Sequence, residues 1–263
     1  MIFDTHAHYD QVQFDDDRDL LLGQMQDHGI GRIVNIGCDL EASRRSIELA
    51  EQYDFIWAAA GVHPSDAVTK LDPAQDEENL ALISEMTDHK KVAAVGEIGL
   101  DYYWIKDPEM RERQKLWFRW QINLAREKGL PIVIHSREAA KDTLDIAKEE
   151  KLRDVGGVMH CFSYSKEIAR EYLNMGFFLG IGGVLTYQNA RVLKEVVDYA
   201  PVESMVLETD CPYLSPVPFR GKRNSSLNLP YVVSAFAQIK GVSEEEAEEI
   251  TWNNAMHLYR MNA

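Results

Sequence analysis

The sequence predicts a (β/α)₈ barrel, a single domain over residues 1–263, and three observations carry that reading. Eight short apolar runs alternate with amphipathic helical stretches along the chain, the order that builds a parallel sheet with helical crossovers. The length of 263 residues is what one such barrel commonly fills. The residues closing the apolar runs are repeatedly histidines or carboxylic acids, and strand ends are where a barrel carries its chemistry. An open nine-strand sheet is the competing architecture. It lacks support, because no Gly-x-Gly-x-x-Gly follows the first run and no Gly-x-x-x-x-Gly-Lys occurs.

The elements follow in order. Ile2 to Phe3 reads as a strand, followed by a helix over Asp16 to His28 with Leu20, Leu21 and Met25 at helical spacing. Arg32 to Ile36 is a strand, Glu41 to Gln52 a helix, and Phe55 to Ala60 a strand running into Gly61-Val62-His63-Pro64. A helix at Asp76 to Asp88 precedes the strand Lys91 to Gly96, which ends in Glu97. The longest helix, Pro108 to Lys128, is closed by Gly129, suited to the left-handed position that ends helices. Pro131 to Ile134 ends in His135, Gly157 to Met159 ends in His160, and the helices Arg137 to Glu149 and Lys166 to Met175 follow them. Phe177 to Ile181 pairs with the helix Asn189 to Tyr199. Ser204 to Leu207 is the eighth strand, ending in Glu208-Thr209-Asp210. Beyond an irregular segment, Cys211 to Asn228, lie helices at Leu229 to Lys240 and Ser243 to Tyr259, the last opened by a Ser243/Glu246 capping box.

Composition narrows the function classes. Twenty-eight basic against forty-three acidic side chains give a formal charge of −15, which opposes generic attraction to nucleic acid or anionic membrane. A polyanionic substrate must therefore be held by local positive charge. Cys38, Cys161 and Cys211 show neither a paired framework nor Cys-x-x-Cys spacing, as expected in a reducing compartment. No signal-like start and no apolar run of about 18 residues is visible, so the expectation is a cytoplasmic protein without a membrane or an obligate protein partner. The acidic run Glu244-Glu245-Glu246 reads as a solvated helix start favoured by the helix dipole.

The chemistry lies in the strand-end residues: His6, His8, His63, Glu97, His135, His160 and Asp210. Five of the eight histidines occupy such positions. His6 and His8, two apart, share one side of an extended chain. Each residue alone has an ordinary structural reading; their joint placement at one end of a barrel points to metal. Four imidazoles and two carboxylates exceed what one four-coordinate ion takes, which argues for two divalent ions, Zn²⁺, Mg²⁺ or Mn²⁺, about 3.5 to 4 Å apart. Glu97 is expected to bridge them, with His6, His8 and Asp210 on one ion and His135 with His160 on the other. Two such cations acidify a shared water, and Asp210 is placed to take its proton. Glu208, one layer deeper, is read first as orienting a ligand side chain, with a third ion or a polar filling layer as the other readings. His63 either contacts substrate or braces its loop. The basic run Phe219-Arg220-Gly221-Lys222-Arg223-Asn224 is either a phosphate clamp, with Arg220 and Asn224 as donors, or a solvated turn. Tyr102, Tyr103 and Trp104 either stack on bases or pack under a loop.

Seven segments together resemble a known family, the TatD-like metal-dependent hydrolases of the amidohydrolase-like barrels. They are Asp4-Thr5-His6-Ala7-His8, Gly61-Val62-His63-Pro64, Gly96-Glu97-Ile98-Gly99-Leu100-Asp101, Ile134-His135-Ser136-Arg137, His160-Cys161-Phe162-Ser163, Leu207 to Leu214, and Arg220-Gly221-Lys222-Arg223-Asn224. The resemblance covers essentially the whole chain. It implies a divalent-metal-dependent nuclease, in several members a DNase with 3′ to 5′ exonuclease character, with His6, His8, Glu97, His135, His160 and Asp210 as metal ligands. DNA, or RNA, is then the partner molecule. One departure is visible: the family often has Glu-Pro after the Asn of the basic loop, where this chain has Ser225-Ser226. Two further hypotheses stand beside this one. The same site can hydrolyse an ester or amide such as an acyl-nucleotide or aminoacyl-tRNA, and a barrel of this kind can merely bind.

Overall fold

In a computed structural model, which describes residues 1–261, eight parallel strands pair in the order of the sequence. They are β1 (Ile2–Ala7), β2 (Ile30–Ile36), β3 (Ile56–Ala60), β4 (Val92–Asp101), β5 (Ile132–Arg137), β6 (Gly157–Met159), β7 (Phe178–Ile181) and β8 (Met205–Leu207). The helices α1 (Arg18–Leu22), α2 (Leu40–Gln52), α3 (Pro64–Thr69), α4 (Asp76–Met86), α5 (Pro108–Lys128), α6 (Ala140–Glu149), α7 (Lys166–Asn174), α8 (Arg191–Tyr199), α9 (Leu229–Lys240) and α10 (Glu244–Leu258) lie between and after them. This is the expected TIM barrel. β8 meets β1 just past its end: Ala7 bridges Cys211, the Asp210 and His8 amides donate to the His6 and Cys211 carbonyls at 2.9 Å each, and the Thr5 hydroxyl donates to the Leu207 carbonyl at 2.9 Å.

The strands are buried on both faces, which is why they read as continuous apolar runs rather than alternating ones. Phe3, Val34, Ile36, Ala59, Ala94, Val133, Val158 and Val206, from seven of the strands, form one cluster with Met256, Leu258 and Tyr259 of the C-terminal segment. That cluster is the floor of the barrel. A strand turns residues i and i+2 to the same face, so the residues two steps beyond Val133, Val158 and Val206 sit directly above it: His135, His160 and Glu208. Irregularities complete the layer. The pairing slips between Asp4 and Ala7 on β1 and between Val95 and Ile98 on β4, and a slipped residue turns its neighbours to the opposite face. His6 and Glu97 fall within those two slips.

Several local readings need correction, among them β1, which runs to Ala7 rather than Phe3, and β5, which takes in Arg137 where a helix was expected to begin. The single helix expected over Asp16 to His28 is a short α1 flanked by 3₁₀ turns at Val12–Phe14 and Gln26–His28. Leu22 and Met25 carry its buried side, while Leu20 is 70% exposed. Gly23 ends α1 and Gly29, at φ 80°, ends the second turn. Helix α3 was not anticipated, although Pro64 at its first position and Asp66 in its first turn are its signals. β4 runs through to Asp101 rather than stopping at Gly96. In contrast, α5 begins and ends as expected, with the Asp107 carboxylate accepting from the Met110 amide at 3.0 Å and Gly129 at φ 65°. The Ser243/Glu246 capping box opens α10.

Candidate metal centre

The buried layer gathers the residues that end the strands. His6 and His8 point their Nε2 atoms at each other across 3.1 Å. Glu97 Oε2 lies 3.5 Å from His6 Nε2 and 3.9 Å from His8 Nε2. Asp210 Oδ1 completes this side, 3.7 Å from His6 Nε2 and 3.4 Å from His8 Nε2. The other carboxylate oxygen of Glu97 faces a second set: Oε1 is 2.8 Å from His135 Nδ1, 3.4 Å from His160 Nε2 and 4.0 Å from His63 Nε2. The six expected ligands therefore converge, with Glu97 between two groups of imidazoles.

Second contacts fix the rings. His8 Nδ1 lies 2.9 Å from the Ile36 carbonyl, which can only accept, so Nδ1 carries a proton and Nε2 turns inward. His135 Nε2 lies 3.1 Å from Asp101 Oδ2, while Asp101 Oδ1 accepts from the Trp104 amide at 2.9 Å. His160 Nδ1 is 3.3 Å from Glu208 Oε1, and the same oxygen accepts from the Cys161 amide at 2.7 Å. Room for the Glu208 carboxylate exists because residue 180 is glycine: a Cβ there would stand 2.3 Å from Oε2. His63 Nδ1 accepts from the Ser65 amide at 3.2 Å and caps α3. That contact braces the loop and leaves Nε2 as the protonated nitrogen facing the cluster.

The electrostatics call for positive charge. Glu97, Asp101, Glu208 and Asp210 bring four carboxylates into one layer. Burial would raise the Glu97 carboxyl, but His160, His135 and His6 overturn this and hold it well below the usual range. Asp210 is likewise held down against burial, chiefly by His8 and His160. The converse holds on the imidazoles. Burial would depress His160, but Glu208 and Glu97 lift it to about 9. His135 is raised against burial by Asp101 and Glu97. Burial and then the neighbouring His160 lower His6, and burial with His135 beside it lowers His63 to about 3. The carboxylates thus favour a proton on His160 and His135, in place of the charge that cations would supply, and metal ions compete with protons for such ligands. The spacing also suits an ion: two nitrogens each about 2.0–2.1 Å from a tetrahedral Zn²⁺ stand about 3.3 Å apart, close to the His6–His8 separation.

The loop readings are partly overturned. Asn224 is 1% exposed; its amide donates to the Thr209 carbonyl at 3.0 Å and its oxygen accepts from the Ser225 amide and the Asn228 side chain, both at 2.9 Å. It holds the chain behind Asp210 and, buried as it is, does not reach out to a phosphate. Arg223 is also committed, to both oxygens of Asp17 at 2.8 and 2.6 Å. Arg220 stays exposed, its guanidinium 4.3 Å above the Tyr187 ring. Tyr102 is buried and donates to Asp142 at 2.7 Å, so it cannot stack on a base, whereas Tyr103 and Trp104 are exposed.

Three residues were given no site role from the sequence. Asp101 backs His135. Cys38 Sγ lies 3.8 Å from both His8 Nδ1 and Glu97 Oε2, its thiol pushed up to about 12 by burial. Asp4 accepts from the His6 and Thr209 amides, at 3.2 and 3.0 Å, and from the Thr209 and Ser226 hydroxyls, at 2.7 and 2.6 Å. Ser226, part of the departure from the family pattern, thus ties the loop to β1. Beside the cluster, a cavity of about 320 Å³ is walled by Phe162, Val184, Leu193 and Leu214 and reaches Glu208 and Asp210.

A family profile described as TatD related DNase matches residues 3–260. A Bacillus subtilis protein described as an uncharacterized metal-dependent hydrolase, YabD, is 46% identical over the full length of both chains. The Cronobacter sakazakii protein described as 3′-5′ ssDNA/RNA exonuclease TatD is 32% identical, covering 100% of this chain and 99% of that one. Among solved structures, the Escherichia coli TatD homologue YJJV superposes with a TM-score of 0.90 at 30% identity, covering 99% and 98% of the two chains.

Proposed function

This chain belongs to the TatD-related DNase family of metal-dependent hydrolases, and on that premise we propose that it is a deoxyribonuclease of the 3′ to 5′ exonuclease type, using two divalent ions. The observation that supports this reading best is the position of Glu97, with one oxygen toward His6 and His8 and the other toward His135 and His160. Glu97 would be shared, His6, His8 and Asp210 would hold one ion, and His135 with His160 the other. Bound there, divalent cations polarise a phosphoryl oxygen and acidify a water.

The chain's own groups do the rest. Asp210, ionised and with its side chain 17% exposed against 4% for Glu97, is the carboxylate that water can reach and accepts the proton of the attacking water. Glu208 and Asp101 hold the His160 and His135 rings. His63, kept neutral, offers its Nε2 proton to an oxygen of the substrate. Arg220 supplies an exposed cation within an otherwise acidic molecule.

A second reading, hydrolysis of an acyl ester such as an acyl-nucleotide or aminoacyl-tRNA, draws on the apolar cavity beside Asp210, which suits an acyl group. Elemental analysis of bound metal, paired with assays of single-stranded DNA and of acyl esters, separates the two. Wild type is expected to degrade DNA with Mg²⁺ or Mn²⁺, and Glu97→Ala to lose both metal and activity. Ester turnover with DNA left uncut at saturating metal would reject the nuclease reading.

A further inference from the structure

Beyond the cluster, one rim feature has the chemistry of a nucleotide site. Trp104 is 66% exposed and Tyr103 40%, their rings edge to face at 4.8 Å. A phenol and an indole ring stand largely in water on the loop after β4, outside the barrel's core clusters. The Arg137 guanidinium lies 4.0 Å above Tyr103 and 5.7 Å from the Trp104 ring. Nearby Glu138 is taken by Lys106 at 3.1 Å, and among the described residues no carboxylate comes within 4.0 Å of the Arg137 guanidinium. An arginine ordered by stacking keeps its N–H groups free for an anion. The feature is also tied to the cluster. Arg137 follows His135 by two residues on β5, its carbonyl accepts from the Tyr102 amide at 2.8 Å, and Asp101 holds both the Trp104 amide and His135.

We propose that Arg137, Tyr103 and Trp104 form a clamp for single-stranded polynucleotide, Arg137 binding a phosphate next to the scissile bond and Trp104 stacking on the adjoining base. This rests on the nuclease reading and names how that substrate is held. In a chain of charge −15, generic attraction to a polyanion is opposed, so a few placed cations and ring faces carry the binding. Stacking tolerates every base, so the clamp predicts little sequence preference.

The test is the binding of a phosphorothioate oligothymidylate, which resists turnover, to the metal-loaded protein, followed by tryptophan fluorescence. Saturable quenching is expected in wild type and its loss in W104F, where Trp57, Trp117, Trp120 and Trp252 remain. W104A should raise Kd by fivefold or more, the size of about 1 kcal/mol of lost stacking. R137A and R137K should both weaken binding, and R137A should reduce the slope of log K against log salt by about 0.7, the value for one single-strand phosphate contact. Equal quenching in wild type and W104F, or an unchanged slope and Kd in R137A, overturns the clamp. Quenching without cleavage of ordinary DNA would keep the clamp and reject the nuclease reading; cleavage without quenching would do the reverse.

Discussion

Gly180→Ala is the substitution whose consequence can be worked furthest from the coordinates. A Cβ at 180 would sit 2.3 Å from Glu208 Oε2 and 2.8 Å from its Cδ, so the carboxylate must retreat by about 1 Å to reach ordinary contact. It has nowhere cheap to go, being 1% exposed and holding the Cys161 amide at 2.7 Å. Losing that charged hydrogen bond costs about 1.5–3 kcal/mol, and the overpacking another 1–3 kcal/mol. Replacing glycine in a strand returns about 0.5–1 kcal/mol. The net expectation is a loss of about 1.5 to 5.5 kcal/mol, read by urea unfolding, with a fall in metal bound beside His160. E208D shortens the side chain by one methylene and should restore part of the loss in the double variant although it weakens the wild type, giving a favourable coupling in the cycle. Unfolding of G180A within about 0.5 kcal/mol of wild type, or a cycle without coupling, would show that Glu208 is not wedged as described.

Three other outcomes are expected. Asp101→Ala removes the carboxylate behind His135 and should weaken metal affinity by about 10- to 100-fold, measured by calorimetric titration; unchanged affinity at every site would make Asp101 a loop anchor only. Asn224→Ala strips partners from the Thr209 carbonyl and the Ser225 amide and should lower stability by about 1–3 kcal/mol, while the salt slope of oligonucleotide binding stays as in wild type. A reduced slope would restore the phosphate-donor role that the structure denies it. Removing metal with chelator should abolish hydrolysis and lower the melting temperature, since an ion at 100 times its Kd contributes about 2.7 kcal/mol; equal melting curves with and without metal would mean that no ion binds the folded cluster preferentially.

How much of this was legible in the sequence follows from what each residue depends on. The strands were visible because parallel strands buried on both faces need unbroken apolar runs, and the strand-end histidines stood out because imidazoles seldom close several such runs by chance. Helix α5 could be bounded to the residue because both its caps are local, Asp107 at one end and Gly129 at the other. The N-terminal helix failed for the complementary reason. Leu20, Leu21 and Met25 match a helical period, but Gly23 ends α1 and the buried side falls on Leu22 and Met25.

The misread site residues share a different cause, which is that their roles are set across the barrel rather than along the chain. Asn224 belongs to a basic run, and nothing local shows that its amide is spent on Thr209, fifteen positions earlier. Asp101 lay five residues past the expected end of β4, and only the slip between Val95 and Ile98, which carries the strand onward beside β5, brings its carboxylate to His135. Asp4 is in plain view two residues before His6, yet its work is to gather Thr209 and Ser226 from the far end of the chain. These cases give one physical rule for reading such a barrel. The imidazoles can be found from strand ends, whereas the carboxylates and amides that aim them come from other strands or from loops distant in sequence, as Glu208 does for His160 and Asp101 for His135.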